Sequence, residues 1–365
     1  MKRLECLDGL RGVLAVYVML GHMAPFATLP DWITGPLSHG GAAVDVFFIL
    51  SGLVITRSLE SFRWSARGFL IARAARIFPV YLVMFAVALA VQALPVDFAA
   101  LPWIGPDSLA RGIWSVGWPR HWAMEIAAHL SMTHGLLPDG ILPGAWVSFL
   151  GSAWSLSTEW QFYVLALGLG ARIGPRWLVP VFLGLAVGGL AWQAEAPAAW
   201  QFSRAFLLNK AQFFALGIAS TAVVRADGQS ARQYAVVLAA ALLLCWPAGG
   251  AEKLLPPLVW TLCLAAQLRP DRAGLGAVAY VLRTRVLQWL GALSYCIYLA
   301  NEPVQKALGL ALAGMVRGDA RMFCALWLPL SLLLPMLAAM ALHAWIEAPA
   351  QRRGRPNLAR GAGEV

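Results

Sequence analysis

The chain has 365 residues, of which 60% are hydrophobic and only 13% are charged, and its formal net charge is +10. Soluble globular domains usually carry about 25% charged residues, so this composition excludes an ordinary soluble fold. The basic residues fall in alternate loops, which is typical of membrane topology and does not indicate nucleic-acid binding.

Ten apolar segments, most of about 20 residues, follow one another, and this is the length a helix needs to cross ~30 Å of hydrocarbon. They predict an all-α, polytopic transmembrane helical bundle that forms one domain over 1–349, with a short basic tail at 350–365. The predicted spans are 8–27, 42–59, 69–93, 145–171, 177–193, 206–224, 233–249, 254–269, 286–314 and 322–346.

The distribution of basic residues predicts the orientation. Nineteen of the 28 Lys and Arg residues lie toward one side and six toward the other, while Arg11, Lys210 and Lys306 fall within spans. The positive-inside rule therefore predicts that both termini are cytoplasmic. The N-terminal run resembles a signal peptide, but Asp8 and Arg11 interrupt it, which favours a retained first span.

The first predicted span carries an ionisable stripe. Asp8, Arg11 and His22 are separated by three and eleven residues, which places them within about 40° on one helix face. Ionisable groups inside a span are functional candidates because burying them there is costly. An imidazole can take a proton from a hydroxyl near neutral pH and return it later. Alternatively, Asp8 pairs with Arg11, and His22 makes one interhelical hydrogen bond.

Asp45 enters the second predicted span from the outer side, at a depth comparable to that of His22. Its carboxylate would orient the imidazole or raise its basicity. Equally, it would cap the helix at the positive end of the dipole. The sequence leaves both interpretations open.

Arg73 and Arg76 lie three residues apart at the cytoplasmic mouth of the third predicted span, and so share a helix face. Two planar guanidinium groups suit bidentate binding of phosphate. From the spacing alone, ordinary anchoring to anionic lipid is the favoured interpretation.

The segment 94–144 is rich in proline and tryptophan and separates the third and fourth predicted spans. Such aromatic, amphipathic segments usually lie along the membrane interface. We expect this one to form an outer wall or a lid over a site, and a re-entrant element at 121–137 is the alternative. His129 and His134 are expected at the interface.

Ser155, Glu159 and Tyr163 recur every four residues and therefore line one face of the fourth predicted span. A buried carboxylate needs a partner, and Arg11, Lys210 and His22 are the candidates. The alternative is a purely structural ion pair.

Weaker signals occur near the end of the chain. Glu302 and Lys306 have the spacing of an ion pair at membrane depth, and Glu347 marks the end of the last predicted helix. No metal site or disulfide framework is predicted, because the cysteines lack paired spacing. These are Cys6, Cys245, Cys263, Cys296 and Cys324.

These clusters together closely resemble the membrane-bound acyltransferase-3 family, in its stand-alone form without an added extracytoplasmic domain. The match runs over nearly the whole chain, and the combination is specific although no single motif is. The matching segments are Leu7–Gly12 with His22, Val44–Gly52, Arg73 to Arg76 before Pro79, Trp154–Glu159 with Phe162 and Tyr163, Leu290–Leu299, and Glu347 to Pro349.

The resemblance implies a multi-pass O-acyltransferase of the bacterial inner membrane. It would move an acyl group, acetyl in the simplest case, from cytoplasmic acyl-CoA to a hydroxyl of a sugar, glycan or glycolipid, with no permanently bound cofactor. The resemblance makes His22 the essential catalytic residue and gives the Arg73/Arg76 pair to the donor. It also implies conserved roles at the positions Asp8, Arg11, Asp45, Ser155 and Glu159.

One position departs from the family pattern. The family often has histidine two residues after Ile-Tyr-Leu, where this chain has Asn301. Because an amide can hydrogen-bond but cannot shuttle a proton, no catalytic role is carried to this position.

The mechanism we predict starts with CoA phosphates on Arg73 and Arg76. The thioester arm then passes Arg11 toward His22, which is oriented by Asp45 or Glu159. His22 acts as general base or is transiently acylated. The rival class is a transporter or flippase of acyl groups or lipid-linked sugars, which would favour corresponding broken helices or a repeat.

Overall fold

The structure is a computed structural model that describes residues 4–114, 117–225 and 230–354. Over these ranges the chain is helical, and they contain no β-strand, as the sequence predicts. The helices are α1 (Glu5–Met23), α2 (Asp31–Leu37), α3 (Gly40–Ser61), α4 (Ala66–Gln92), α5 (Leu109–Ile113), α6 (Trp122–Leu130), α7 (Ala153–Ile173), α8 (Leu178–Glu195), α9 (Ala211–Val224), α10 (Ser230–Gly249), α11 (Leu255–Leu268), α12 (Leu275–Leu282), α13 (Arg285–Val316), α14 (Ala320–Leu342) and α15 (Ala348–Arg353).

Each of the ten predicted spans overlaps one long helix. Seven segments are long and apolar enough to cross a membrane, and Ser230–Leu268, which joins α10 and α11, counts as one of them. The long helices α7 and α13 fall outside this set; both carry the polar residues of the clusters. The count of ten crossings and the cytoplasmic position of the termini remain predictions. Of the predicted tail, residues 355–365 lie outside the described part of the chain.

Small residues allow α1 and α13 to pack closely, and this contact positions the histidine. A Cβ added to Gly291 would collide with the backbone oxygen of Asp8, and one added to Gly12 would lie 2.8 Å from the Gly291 nitrogen. Small residues are the usual means by which transmembrane helices approach each other. The approach lets His22 near the end of α1 reach Asn301 in the middle of α13.

The helices α3 and α9 approach each other in the same way. A Cβ on Gly52 would lie 2.9 Å from the Gly217 Cα, so neither position leaves room for a side chain. The contact brings Asp45, near the start of α3, against Lys210 at the start of α9.

The segment between α4 and α7 folds back onto the bundle, and its described residues include the two short α-helices α5 and α6. Trp114 is buried and stacks on Phe26, with ring centroids 3.7 Å apart. His129 and His134 are also fully buried, and their rings stack 4.0 Å apart. The prediction that these histidines lie at the interface is therefore wrong. The amphipathic pattern of the segment indicates an interfacial position, and it does not reveal that these side chains pack into the bundle.

The two histidines tie this segment to the start of α7. His129 Nε2 lies 3.0 Å from the Ala145 oxygen, and His134 Nε2 lies 3.2 Å from the Ala153 oxygen. Residues of the same stretch, including Trp146 and Ser152, line the cavity described below. The histidine pair therefore holds the outer wall of that cavity.

We expect acid to loosen this wall. Burial lowers the pKa of His134 to about 4, whereas an unfolded histidine titrates near 6.5. Between these values the unfolded segment binds a proton that the folded segment excludes, so stability is full above about pH 7 and falls as the pH drops toward 4. Amide-exchange protection over 122–153 should decrease from pH 7 to pH 5.

The exposed His121 gives the matched control for this prediction. His134→Gln should reduce the pH dependence of the protection without abolishing it, because burial also lowers the pKa of His129, and His121→Gln should leave it unchanged. An equally steep pH dependence in His134→Gln would contradict the assignment.

Candidate active site

His22 lines a cavity of about 680 Å³, which we call the histidine cavity. The imidazole is half-buried, and it lies near the end of α1 that is predicted to face outward. The cavity is lined by residues of α1, α3, α13 and the segment between α4 and α7, among them Val44, Trp146, Ser152, Tyr298 and Glu302. A hydroxyl-bearing molecule can therefore reach the ring.

The hydrogen bond between His22 and Asn301 determines which nitrogen of the imidazole carries a proton. His22 Nδ1 lies 2.6 Å from the Asn301 Oδ1. The Asn301 amide nitrogen donates to the Ile297 oxygen at 3.0 Å and to the Tyr298 oxygen at 2.7 Å, so its Oδ1 must face the ring. An amide oxygen only accepts, and His22 Nδ1 therefore carries the proton. In the neutral form of the ring, Nε2 is then the nitrogen that can accept a proton.

Asn301 is thus the residue that orients His22, and the structure corrects the predicted orientation by Asp45 or Glu159. Asp45 bonds Lys210 and Lys253 instead, and Glu159 accepts from Ser51 and Tyr163. The sequence did signal Asn301, as the one departure from the family pattern, and the structure assigns it the hydrogen-bonding role that an amide can fill.

Glu302 is the acidic residue in the lining of the histidine cavity, and the sequence analysis treated it only as a partner of Lys306. Its carboxylate accepts from the backbone nitrogens of Gly151 at 3.2 Å and Ser152 at 3.1 Å. Lys306 donates to the Gln92 side chain at 2.7 Å. Glu302 therefore fixes the entry to α7 next to His22.

A second cavity of about 230 Å³ lies toward the other end of the bundle, and we call it the arginine cavity. It brings together residues that the sequence placed in three separate clusters. The predicted site residues among its lining are Arg11, Arg73, Arg76, Ser155, Glu159 and Tyr163. The prediction that Ser155, Glu159 and Tyr163 share one helix face is therefore confirmed.

The charges in the arginine cavity favour an anionic ligand. Glu159 is the carboxylate among the lining residues, and it is held by Ser51 and by Tyr163 at 2.8 Å. Arg73 donates from Nη2 to Ser58 at 2.8 Å, while no acceptor in the described part of the chain faces its buried Nε. Three guanidinium groups surrounding one carboxylate leave positive charge that a phosphate can neutralise.

Arg11 is a buried charge that Arg76 repels and three carboxylates attract. The carboxylates of Asp8, Glu159 and Glu347 all attract its guanidinium group. The predicted Asp8–Arg11 attraction is present, and it coexists with the position of Arg11 in the cavity. Glu347, which the sequence analysis treated only as the end of the last helix, therefore also contributes to the electrostatic environment of Arg11.

Glu347 sits in a π-helical turn, His343–Glu347, between α14 and α15. Its carboxylate is 2.7 Å from His343 Nδ1, accepts from Gln351 at 2.8 Å and lies 3.2 Å from Cys296 Sγ. The side-chain atoms of Cys296, His343 and Glu347 that could bind a metal ion lie within 4.8 Å of one another. The sequence does not predict this group, because Cys296 is far from the other two residues along the chain. Hydrogen bonds already occupy both carboxylate oxygens.

The two cavities meet at a narrow boundary. Val44 and Tyr298 line both of them. The Tyr298 hydroxyl lies 2.9 Å from the Ser155 hydroxyl, which closes a bridge between α13 and α7. Val44 and Tyr298 therefore lie between the arginines of one cavity and the histidine of the other.

Asp45 belongs to neither cavity lining. It is fully buried, with Lys210 Nζ 2.6 Å from one carboxylate oxygen and Lys253 Nζ 2.8 Å from the other. The described contacts show no capping hydrogen bond at the start of α3. Both sequence interpretations of Asp45 are therefore replaced by a buried ion cluster. Lys210, one of the partners considered for Glu159, is bound to Asp45.

Similarity to known proteins identifies the family of this chain. The profile of an acyltransferase domain matches residues 4–346, which is nearly the whole chain. The chain belongs to the acyltransferase-3 family. A relative, the acyltransferase MdmB of Streptomyces mycarofaciens, is 28% identical over 408 aligned residues that cover 97% of this chain and 94% of the relative. No solved structure gives a significant match.

Membership of the acyltransferase-3 family, together with the apolar helices, makes this chain a multi-pass membrane protein and an enzyme that transfers acyl groups other than amino-acyl groups. The matched range includes both cavities and every predicted site residue. The candidate site in this member of the family thus consists of two cavities, one lined by three arginines and one by His22, which share Val44 and Tyr298.

Proposed function

We propose that this acyltransferase moves an acyl group, acetyl in the simplest case, from cytoplasmic acyl-CoA to a hydroxyl of a carbohydrate or glycolipid at the outer face of the bacterial inner membrane. The observation that carries the proposal is the Asn301–His22 hydrogen bond. It leaves Nε2 of a neutral imidazole in a cavity large enough for a substrate.

The donor binds in the arginine cavity. Arg73 and Arg76 contact the CoA phosphates, since paired guanidinium groups suit bidentate phosphate binding. The unpartnered Nε of Arg73 supports this assignment. Arg11 lies about 16 Å below His22 along α1, given a rise of 1.5 Å per residue. The thioester arm spans this distance and passes between Val44 and Tyr298.

The acceptor binds in the histidine cavity. His22 Nε2 takes the hydroxyl proton as the oxygen attacks the thioester carbonyl, and the carbon–sulfur bond then breaks. The imidazolium returns the proton to the thiolate, so that the products are an ester and free CoA thiol. In the covalent variant, Nε2 first accepts the acyl group itself and then passes it to the hydroxyl.

Release of free CoA thiol tests the proposal directly. Purified protein in detergent, supplied with acetyl-CoA, should release thiol faster when a hydroxylated glycan is added. An acyl-imidazole trapped with donor alone would identify the covalent route. Transport of acyl groups or sugars without thiol release would instead identify the rival transporter class. Glycan masses from cells with and without the protein would name the acyl group.

We expect Arg73→Gln to weaken donor binding. Losing charge-assisted hydrogen bonds of about 1.5–3 kcal/mol corresponds to a rise of roughly tenfold to 150-fold in the KM for acetyl-CoA. The rate at saturating donor should change much less, because Arg73 lies away from the reacting atoms. Initial-rate kinetics over a range of acetyl-CoA concentrations measures both quantities.

Arg67 supplies the matched control, since it is an exposed arginine at the same end of α4. Arg67→Gln should leave the KM unchanged. If the two variants gave the same KM, the arginines would be lipid anchors and the donor assignment would fail.

A further inference from the structure

A third cavity adjoins the histidine cavity on its outer side, and no step proposed so far uses it. We call it the basic pocket. Its volume is about 470 Å³, within the usual range for sites that bind small molecules. Ser38, Gly41, Trp154 and Arg204 line both the basic pocket and the histidine cavity, so the two are continuous.

The basic pocket carries an excess of cations. Lys210, Lys253 and Arg204 all line it. The two ammonium groups share one buried carboxylate, that of Asp45. A structural ion pair needs only one cation for that carboxylate, so the second ammonium group is surplus. Burial of unbalanced charge is costly unless a counter-charge is available.

The remaining charges reduce this excess but do not remove it. Glu252 also lines the pocket, with its carboxylate 3.1 Å from His39 Nδ1, so that three cations are present with the two carboxylates of Asp45 and Glu252. Arg204 is exposed, and its guanidinium group lies 4.9 Å from the Trp146 ring and 5.9 Å from the Trp154 ring. It is thus held over aromatic faces at the junction of the two cavities.

Aromatic surface forms the other part of the lining. Trp154 lines both cavities, and Phe202 and Phe213 also line the basic pocket. Lys210 Nζ is 5.6 Å from the Trp154 ring centroid. A ligand that fits this lining has an anionic group for the cations and a ring or apolar face for the aromatic side chains.

We propose that the basic pocket is an acceptor subsite that selects hydroxyl acceptors bearing a carboxylate or a phosphate. The inference rests on the proposed function, because it places such an acceptor's hydroxyl beside His22 while its anionic group contacts Lys253 and Arg204. Lys210 remains with Asp45 as the fixed part of the cluster.

Binding of small probes separates this proposal from catalysis. Calorimetric titration of the full chain in detergent would compare glucose, glucuronate and glucose 6-phosphate. We expect at least one of the two anionic sugars to bind at least tenfold more tightly than glucose. Preference for glucuronate would identify a carboxylate acceptor, and preference for glucose 6-phosphate would identify a phosphorylated one.

Two variants test the cations individually. Lys253→Gln leaves the Lys210–Asp45 pair in place, and Arg204→Gln removes an exposed side chain, so both should fold. Each should lower the affinity for the anionic sugar about tenfold and leave that for glucose unchanged. Arg120→Gln, which removes an exposed arginine that lines none of the three cavities, is the matched control and should have no effect.

Three results would overturn the proposal. The first is equal affinity for glucose and both anionic sugars, and the second is unchanged affinity for the anionic sugar in both pocket variants. The third is competition between CoA and the anionic sugar, because it would assign the basic pocket to the donor. Binding should persist in His22→Ala. If His22→Ala kept its transferase activity while the anionic preference held, the proposed mechanism would fail and the subsite would stand.

Discussion

Replacing His22 by alanine is expected to lower kcat/KM for acyl transfer by at least 10²–10⁴-fold, the usual contribution of a positioned general base. The loss should be larger if Nε2 carries the acyl group, because the reaction then has no nucleophile. Thiol release and acceptor acylation should fall together. The measurement is the initial rate with purified protein at fixed acetyl-CoA and acceptor.

The variant should still insert and fold. His22 is half-buried beside a cavity, so truncating it removes one hydrogen bond and little packing. Asn301→Leu keeps the volume but removes the acceptor that holds the Nδ1 proton, and its activity should lie between those of the wild type and His22→Ala. Near-normal activity in a folded His22→Ala protein would rule out the mechanism.

Replacing Asp45 by asparagine is expected to destabilise the protein by about 3–5 kcal/mol, the range observed when one partner of a buried ion pair is removed. Lys210 has only 8% of its side chain exposed and would keep an uncompensated charge. Lys253, with 22% exposed, can turn toward water. A lowered thermal unfolding midpoint in detergent measures the effect.

This result separates the structural role of Asp45 from the catalytic role that the sequence suggested. The double variant Asp45→Asn/Lys210→Met removes the stranded charge and should recover much of the lost stability. Its residual activity should recover in proportion to the folded protein. A fully stable Asp45→Asn protein with no activity would contradict the ion-cluster assignment and restore the catalytic one.

The sequence predicted the helical architecture well because its signals are local. Apolar runs of about 20 residues satisfy the bilayer without any help from neighbouring helices. The same holds for residues on one helix: the four-residue spacing of Ser155, Glu159 and Tyr163 sets their common face. All three do line one cavity.

Predictions that needed two helices were less successful. The sequence paired Glu159 with Arg11, Lys210 or His22, and gave Asp45 or Glu159 to His22. The pairs actually formed join residues far apart in the chain, such as Asp45 with Lys210 and His22 with Asn301. No periodicity encodes them, because they depend on which helices pack together and at which height.

The sequence by itself thus determined the membrane character of this protein, its helices, the family resemblance and the set of ionisable residues that carry the chemistry. The tertiary structure alone decided how those residues divide: arginines in one cavity, His22 in a second, and Asp45 in an ion cluster beneath a third. The physical reason is that charge and hydrogen-bond partners act over a few ångströms in space. Those distances are set by glycine-mediated helix contacts, and the spacing of residues along the chain does not specify them.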